Sequence, residues 1–296
     1  MISLSDDRWL GDRTCRRITS YYARTFYFAS HCLPRKTRKH AYAVYAFCRW
    51  ADNAVDDAVN LDDARHRLNQ ARIALNEAYG NKIIAPGLLS FRDTVTQRQI
   101  PRELFEELLE GMAMDLVKNR YDNWPELDLY CYRVAGVVGL MMTHIFGYDD
   151  SACFSQAKSL GTAMQLTNIL RDIGEDDDRG RIYLPLDELA SFGVSTQHIH
   201  AKEMSDPFRL FMKFQIDRAR YHYANAESGI PHVLGSTHRM TIRVMGHLYS
   251  LILSEIEKLD YDVYRTRARV SNSRKIRGLF GCQARTWLED ARLALQ

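Results

Sequence analysis

Gln165-Leu166-Thr167-Asn168-Ile169-Leu170-Arg171-Asp172-Ile173-Gly174-Glu175-Asp176 is the stretch on which the reading of this chain turns. Gln165, Asn168, Asp172 and either Glu175 or Asp176 recur every three or four residues, so a helix places four polar side chains along one side. Leu166, Ile169, Leu170 and Ile173 fall on the other side, as expected of a helix with one buried face. A second segment, Arg49-Trp50-Ala51-Asp52-Asn53-Ala54-Val55-Asp56-Asp57, repeats the device. Asp52 and Asp56 lie one turn apart, and reading back from them gives Arg49, Tyr45 and Tyr42 on the same face. Like charges at that spacing destabilise an isolated helix, so positive charge should lie between them. Two such faces, brought together, could hold divalent cations through oxygen ligands. Magnesium keeps waters and shares its ligands with substrate phosphates, so it fits this pattern. A metal-dependent enzyme acting on a diphosphate is the reading that follows.

Around these segments the chain is helical. Pro34, Pro86, Pro101, Pro125, Pro185, Pro207 and Pro231 divide it into helix-length stretches. Leu104, Leu108, Met112 and Leu116 recur at i+4, and Ala41, Val44, Tyr45, Cys48 and Val55 keep a similar period. No alternating run bounded by Asn-Gly or Asp-Gly marks a hairpin. Neither a Gly/Ser linker nor a repeat divides the sequence. The expectation is an all-α protein, one domain over residues 1–296, built from about eight to eleven helices. Tyr130 to Phe146, apolar on more than one side, should be a central helix.

Bulk properties narrow the class. The 296 residues are 46% hydrophobic and 26% charged, with a net charge of +3, too mild for a nucleic-acid-binding protein. Cys15, Cys32, Cys48, Cys131, Cys153 and Cys282 form no close pair, so zinc and redox motifs are missing and reduced thiols are expected. Met1-Ile2-Ser3-Leu4-Ser5-Asp6-Asp7 lacks the basic and apolar regions of a signal peptide. Val134 to Phe146 is the longest nearly apolar stretch and is too short to span a bilayer. A soluble cytoplasmic protein is expected, with peripheral membrane contact left open. The basic run Arg265, Arg267, Arg269, Arg274, Lys275 and Arg277 has three readings: a solvated flank, a rest on an anionic membrane, or a closure over diphosphate. Asp177 and Asp178 read as solvated, and His198 and His200 as surface residues.

Tyr45-Ala46-Phe47-Cys48-Arg49-Trp50-Ala51-Asp52-Asn53-Ala54-Val55-Asp56 resembles the first aspartate-rich motif of the squalene/phytoene synthase family. Asn168 to Asp176, followed by Arg181-Ile182-Tyr183-Leu184-Pro185, resembles the second. Tyr130-Cys131-Tyr132-Arg133-Val134-Ala135-Gly136-Val137-Val138-Gly139 is similar to the glycine-bearing helix between them, and Glu110 to Leu116 to the helix before it. The likeness runs from about Thr19 to Arg277. It departs from the family where Asp52-Asn53 replaces Asp-Asp, and where Tyr22-Ala23-Arg24-Thr25 replaces His-Ser-Lys-Ser.

The resemblance implies an isoprenoid synthase fold and head-to-head condensation of two prenyl diphosphates through a cyclopropylcarbinyl diphosphate. It implies that Asp52, Asp56, Asn168, Asp172 and Asp176 bind magnesium, with manganese as the alternative ion. Arg49, Arg171 and Gln165 would then contact diphosphate or hold the metal shell. Tyr22, Arg24, Thr25 and Phe26 match the segment that touches the leaving diphosphate, and Tyr45 and Tyr249 match positions facing substrate. Two C20 units giving phytoene, a step of carotenoid biosynthesis, is the first reading, to which the small Ser30 one turn beyond Phe26 leans. The same chemistry on C15 units is the second. With no Gly-x-Gly-x-x-Gly loop in the chain, an NADPH-dependent reduction is disfavoured. A non-catalytic helical scaffold is the reading from another class, and a diphosphate-cleaving phosphatase or terpene cyclase a third.

Overall fold

The computed structural model describes residues 11–80 and 88–293. In chain order its helices are α1 (Asp12–Tyr22), α2 (Arg24–Ala29), α3 (Arg35–Asp56), α4 (Leu61–Tyr79), α5 (Leu89–Gln97), α6 (Arg102–Met114) and α7 (Trp124–Cys131). These are followed by α8 (Val137–Phe146), α9 (Cys153–Asp178), α10 (Leu186–Ser191), α11 (Thr196–His200), α12 (Asp206–Glu227), α13 (Ser236–Lys258) and α14 (Asn272–Leu293). Eleven of these run eight residues or longer, the upper end of the expected count. α2, α10 and α11, of five or six residues, are too short to carry a 3.6-residue period and add to it.

The prolines mark helix starts rather than stops. Pro34, Pro101 and Pro185 sit at the position before α3, α6 and α10, and Pro125 and Pro207 lie in the first turns of α7 and α12. Proline has no N–H to lose there and a φ already suited to the helix. Pro86 lies outside the described residues. Asn60, Asn123 and Ser205 cap α4, α7 and α12 by accepting from backbone N–H groups two or three residues into the helix.

The all-helical expectation needs one amendment. The segment after α6 and the segment after α9 pair in parallel as β1 (Arg120–Tyr121) and β2 (Ile182–Pro185). Every residue of β2 is buried, so its sequence shows no alternation by which a strand could be recognised.

Two apolar cores organise the helices. One gathers α1 to α6, α8 and the first half of α13; the other gathers α7, α9, β2, α10 to α12 and the end of α13. Val134 packs against both, inside a π-helical turn, Tyr132–Gly136, that joins α7 to α8. The continuous helix Trp124–Phe146 therefore reaches 23 residues, longer than the apolar run alone suggested. By length and composition it could cross a membrane, but here it is the central helix, with 44% of its most apolar window buried. α9 lies hard against it. A Cβ on Gly161 would sit 2.4 Å from the Ala135 carbonyl oxygen, and one on Gly139 equally close to that of Ala157. Only glycine allows this approach, which sets the polar face of α9 over the central helix.

Candidate active site

The α3 face has the arrangement its spacing suggests. Arg49 donates from Nη1 to Asp52 Oδ2 at 2.5 Å and lies over the Tyr22 ring, 4.4 Å from its centroid. Asp52 opens onto a cavity rather than onto bulk water. Burial, partly offset by Arg49 and then reinforced by Asp56 and Asp115, pushes its carboxyl up to about 6. Asp56 points to the chain beyond α9: Arg181 Nη1 lies 3.4 Å from Oδ1, and Arg179 Nη1 lies 3.9 Å from Oδ2. Arg181 also acts electrostatically on Asp115 and Asp176, so one guanidinium stands among carboxylates drawn from α3, α6 and α9.

The α9 face is clamped differently. Leu166, Ile169, Leu170 and Ile173 are buried, as expected of its apolar side. Asp172 is gripped by Arg171 through both oxygens and by Arg267 at 3.0 Å. Arg267 also donates to both oxygens of Glu175, at 2.7 and 2.9 Å. Within the basic C-terminal run, Arg267 pairs with the acidic face itself, a contact that none of the three readings of that run foresees. Asp176 has no cation within ion-pair distance among the described residues. Burial, and next the charge of Asp172, pushes its carboxyl up to about 7 against the pull of Arg179 and Arg181.

Below the two faces lies a largely apolar cavity of about 400 Å³. Val134, Val138, Met142, Leu160, Met164 and Met245 contribute apolar walls, while Asp52, Arg49, Gln165 and Asn168 stand at its polar end. Tyr22, Phe26, Tyr45 and Tyr249 also line it, with the Phe26 and Tyr45 rings 5.7 Å apart. Burial raises the hydroxyls of Tyr45 and Tyr249, so these two stay protonated.

Asp56, Arg171, Asp172 and Asp176 are not part of the cavity wall; they form the charged rim described above. Arg24 and Thr25 do not line the cavity, and Arg24 is exposed, because the short α2 turns Phe26 inward and its neighbours out. Ser30 is also off the wall. It is fully buried, with its hydroxyl on the Tyr27 carbonyl and the Tyr42 hydroxyl, so its small size adds no cavity depth there. Asp177 is not solvated: its side chain is 7% exposed and pairs with His200 Nδ1 at 2.6 Å, while Asp178 pairs with Lys202. His198 closes a capping box on Ser195.

Asp115 was not singled out by its spacing. It accepts from the Tyr183 hydroxyl at 2.8 Å and the Tyr130 hydroxyl at 3.1 Å, and burial pushes it up to about 6. Its place at the C-terminal end of α6, after Glu103, Glu106, Glu107 and Glu110 on the same helix, gives it no distinguishing signal in the sequence. Among the described residues no three carboxylates, histidines or cysteines are grouped so as to hold an ion by themselves. Each face offers oxygen donors only, in pairs one turn apart. That set suits a hard ion that takes one or two carboxylates from a protein and fills its shell with water and phosphate oxygens.

Residues 19–274 match the model of the family described as Squalene/phytoene synthase. Phytoene synthase 2, chloroplastic, of Solanum lycopersicum is 39% identical over 268 residues, 88% of this chain and 86% of that protein. Phytoene synthase of Arthrospira platensis is 38% identical over 275 residues, 88% of this chain and 89% of that protein. Among solved structures, a dehydrosqualene synthase in complex with ligand superposes with a TM-score of 0.84 at 29% identity, covering 94% of this chain and 96% of that one. The squalene synthase HpnC from Alicyclobacillus acidocaldarius gives 0.78 at 29% identity, covering 84% and 94%.

Proposed function

Because the chain belongs to the squalene/phytoene synthase family, we propose that it condenses two geranylgeranyl diphosphates head to head to phytoene, a step of carotenoid biosynthesis. It is a prenyltransferase of the phytoene/squalene synthase type. The observation that carries the reading is a pair of carboxylate faces, linked by Arg181, over a cavity with apolar walls. The same chemistry on farnesyl diphosphate is the second reading, favoured by the superposition on a dehydrosqualene synthase and a squalene synthase.

We assign Asp52 and Asp56 on one face, and Asn168, Asp172 and Asp176 on the other, as the residues that would hold magnesium, with manganese as a substitute. Bound there, the ions would neutralise the diphosphate as its C–O bond breaks. Arg49, Arg171 and Gln165 take diphosphate oxygens; the planar guanidinium fork matches a phosphate edge. The Tyr22 ring lies beneath the Arg49 guanidinium and supports it, and Arg24 and Thr25 serve the diphosphate only if the α1–α2 segment folds over it. The allylic cation left behind must be kept from water, which the apolar walls exclude. The aromatic faces of Phe26, Tyr45 and Tyr249 stabilise its charge. Attack by the second double bond, with loss of one proton as the three-membered ring closes, gives the cyclopropylcarbinyl diphosphate. A second ionisation, rearrangement and loss of a second proton end in a triene, with no hydride required.

Purified protein incubated with labelled C15 and C20 diphosphates and magnesium, with and without NADPH, tests the assignment. The expected result is a C40 hydrocarbon from the C20 substrate, equally with and without NADPH. Release of monomeric prenyl alcohol alone would reject condensation, and turnover of neither substrate would favour a scaffold.

A further inference from the structure

A second cavity, of about 590 Å³, lies between α12, α13 and α14 and shares one apolar wall with the main cavity. Its volume is in the range of small-molecule sites. Glycines create the space: Gly246 on α13, and Gly278 and Gly281 on α14, all line it. A Cβ on Gly281 would meet nothing within 4 Å.

The lining has two chemical zones. One wall is apolar, and Leu160, Ala226, Ile230 and Ile242 serve both this cavity and the main one. The rest carries Arg243, Arg274, Arg277 and Arg285 with His247, against Glu227 as the one acid in the wall. Two of these arginines are neutralised from outside it. Arg243 donates to Glu289 at 2.6 Å and to Thr286 at 3.0 Å, and Arg274 pairs with Glu255. Arg277 has no ion pair among the described residues, and Arg285 has only Glu227, at 3.9 Å. Arg243 is 5% exposed, yet its Nε lacks a hydrogen-bond partner, with Glu227 3.6 Å away. Burial, and then the charges of Arg285 and Arg274, press the His247 imidazole below its usual range.

An apolar wall beside uncompensated guanidiniums fits a molecule with a chain at one end and an anion at the other. We propose that this cavity binds a single-chain amphiphile with a phosphate or diphosphate head. The head lies on Arg277 and Arg285, where bidentate pairing is open, and the chain lies along Leu160, Ile230 and Ile242. Through those shared side chains, occupancy here presses on the wall of the main cavity.

Titration calorimetry of the full chain with dodecyl phosphate below its micelle concentration, in EDTA, tests this. One equivalent should bind. Gly281→Phe, which fills the space, and the double variant Arg277→Glu/Arg285→Glu should each weaken binding about tenfold or more. Asp52→Ala should bind like the wild type. Unweakened binding in both cavity variants would overturn the proposal, as would a loss confined to Asp52→Ala, which would put the ligand in the main cavity. Inorganic diphosphate should bind at least about tenfold more weakly than dodecyl phosphate, and equal binding would remove the chain from the account. Geranylgeranyl diphosphate and phosphatidylglycerol vesicles, tested on the same variants, distinguish a free diphosphate from a bilayer lipid as the source of the head. Unchanged binding of both in the variants would overturn the assignment too. Condensation is read in a separate assay, so failure here leaves the proposed function standing.

Discussion

The two acidic faces solve one electrostatic problem in opposite ways. On α3 the inner carboxylate, Asp52, has a partner from its own helix in Arg49, and the outer one, Asp56, is reached by Arg181 from beyond α9. On α9 the inner carboxylate, Asp172, is clamped by two arginines, while the outer one, Asp176, has none within ion-pair distance among the described residues. On an exposed helix such a like-charge pair costs only about 0.2–0.5 kcal/mol. Here burial raises the cost, as the upward shifts of Asp52 and Asp176 record. The inner carboxylate of α9 thus carries, besides Arg171 of its own helix, a removable cation from the C-terminal segment, Arg267, whereas that of α3 is held by Arg49 of its own helix and opens onto the cavity. Metal and diphosphate would displace Arg267 more readily than Arg49.

If the faces act together, removing the inner carboxylate of either should be equally damaging. Asp52→Ala and Asp172→Ala are each expected to lower condensation about a thousandfold or more, with helix content by circular dichroism unchanged. A large loss in one variant with retained turnover in the other would break the symmetry and leave one face structural.

Arg267→Ala probes the α9 side. It leaves Asp172 to Arg171 alone and frees Glu175, but removes a guanidinium from the rim, so KM for the diphosphate should rise about tenfold while kcat stays within about threefold. An equal fall in kcat would instead make Arg267 part of the reacting centre.

Stability against pH reads the buried acids of both faces. In the fold Asp176 titrates at about 7, against 3.8 for an ordinary aspartate, so between those values it is protonated only when folded. Unfolding then releases a proton, and stability falls as pH rises through that interval. Asp52 and Asp115, at about 6, act in the same direction. The metal-free protein should therefore melt a few degrees lower at pH 7.5 than at pH 5, and Asp176→Asn should remove a large part of the fall. An unchanged slope in that variant would mean that Asp176 is not held in its protonated form.

The smallest effect belongs to Arg24→Ala. The exposed side chain lies off the cavity, and KM should change by less than about twofold. A larger change would show that the α1–α2 segment closes over substrate.

What was legible in the sequence was local. Asp52 with Asp56, and Asn168 with Asp172 and Asp176, can be read because helix geometry alone puts residues three and four apart on one face. The helices themselves show through a 3.6-residue period and through prolines that can only stand at their starts. The rest depends on residues far apart in the chain. Arg181 meets Asp56 across 125 positions and Arg267 meets Asp172 across 95, so neither contact leaves a periodic trace. Asp115 looks like a stray charge until Tyr130 and Tyr183 arrive from α7 and β2. Ser30 departs from its expected place because one turn of α2 does not reveal that its hydroxyl turns to Tyr42 rather than to the cavity.

Joint metal binding by the two faces is read by counting the ions bound to each. Manganese binding, followed by electron paramagnetic resonance with a non-hydrolysable prenyl thiodiphosphate present, should show fewer ions in Asp52→Asn and in Asp172→Asn than in the wild type. Full wild-type occupancy in either variant would contradict joint metal binding by the two faces.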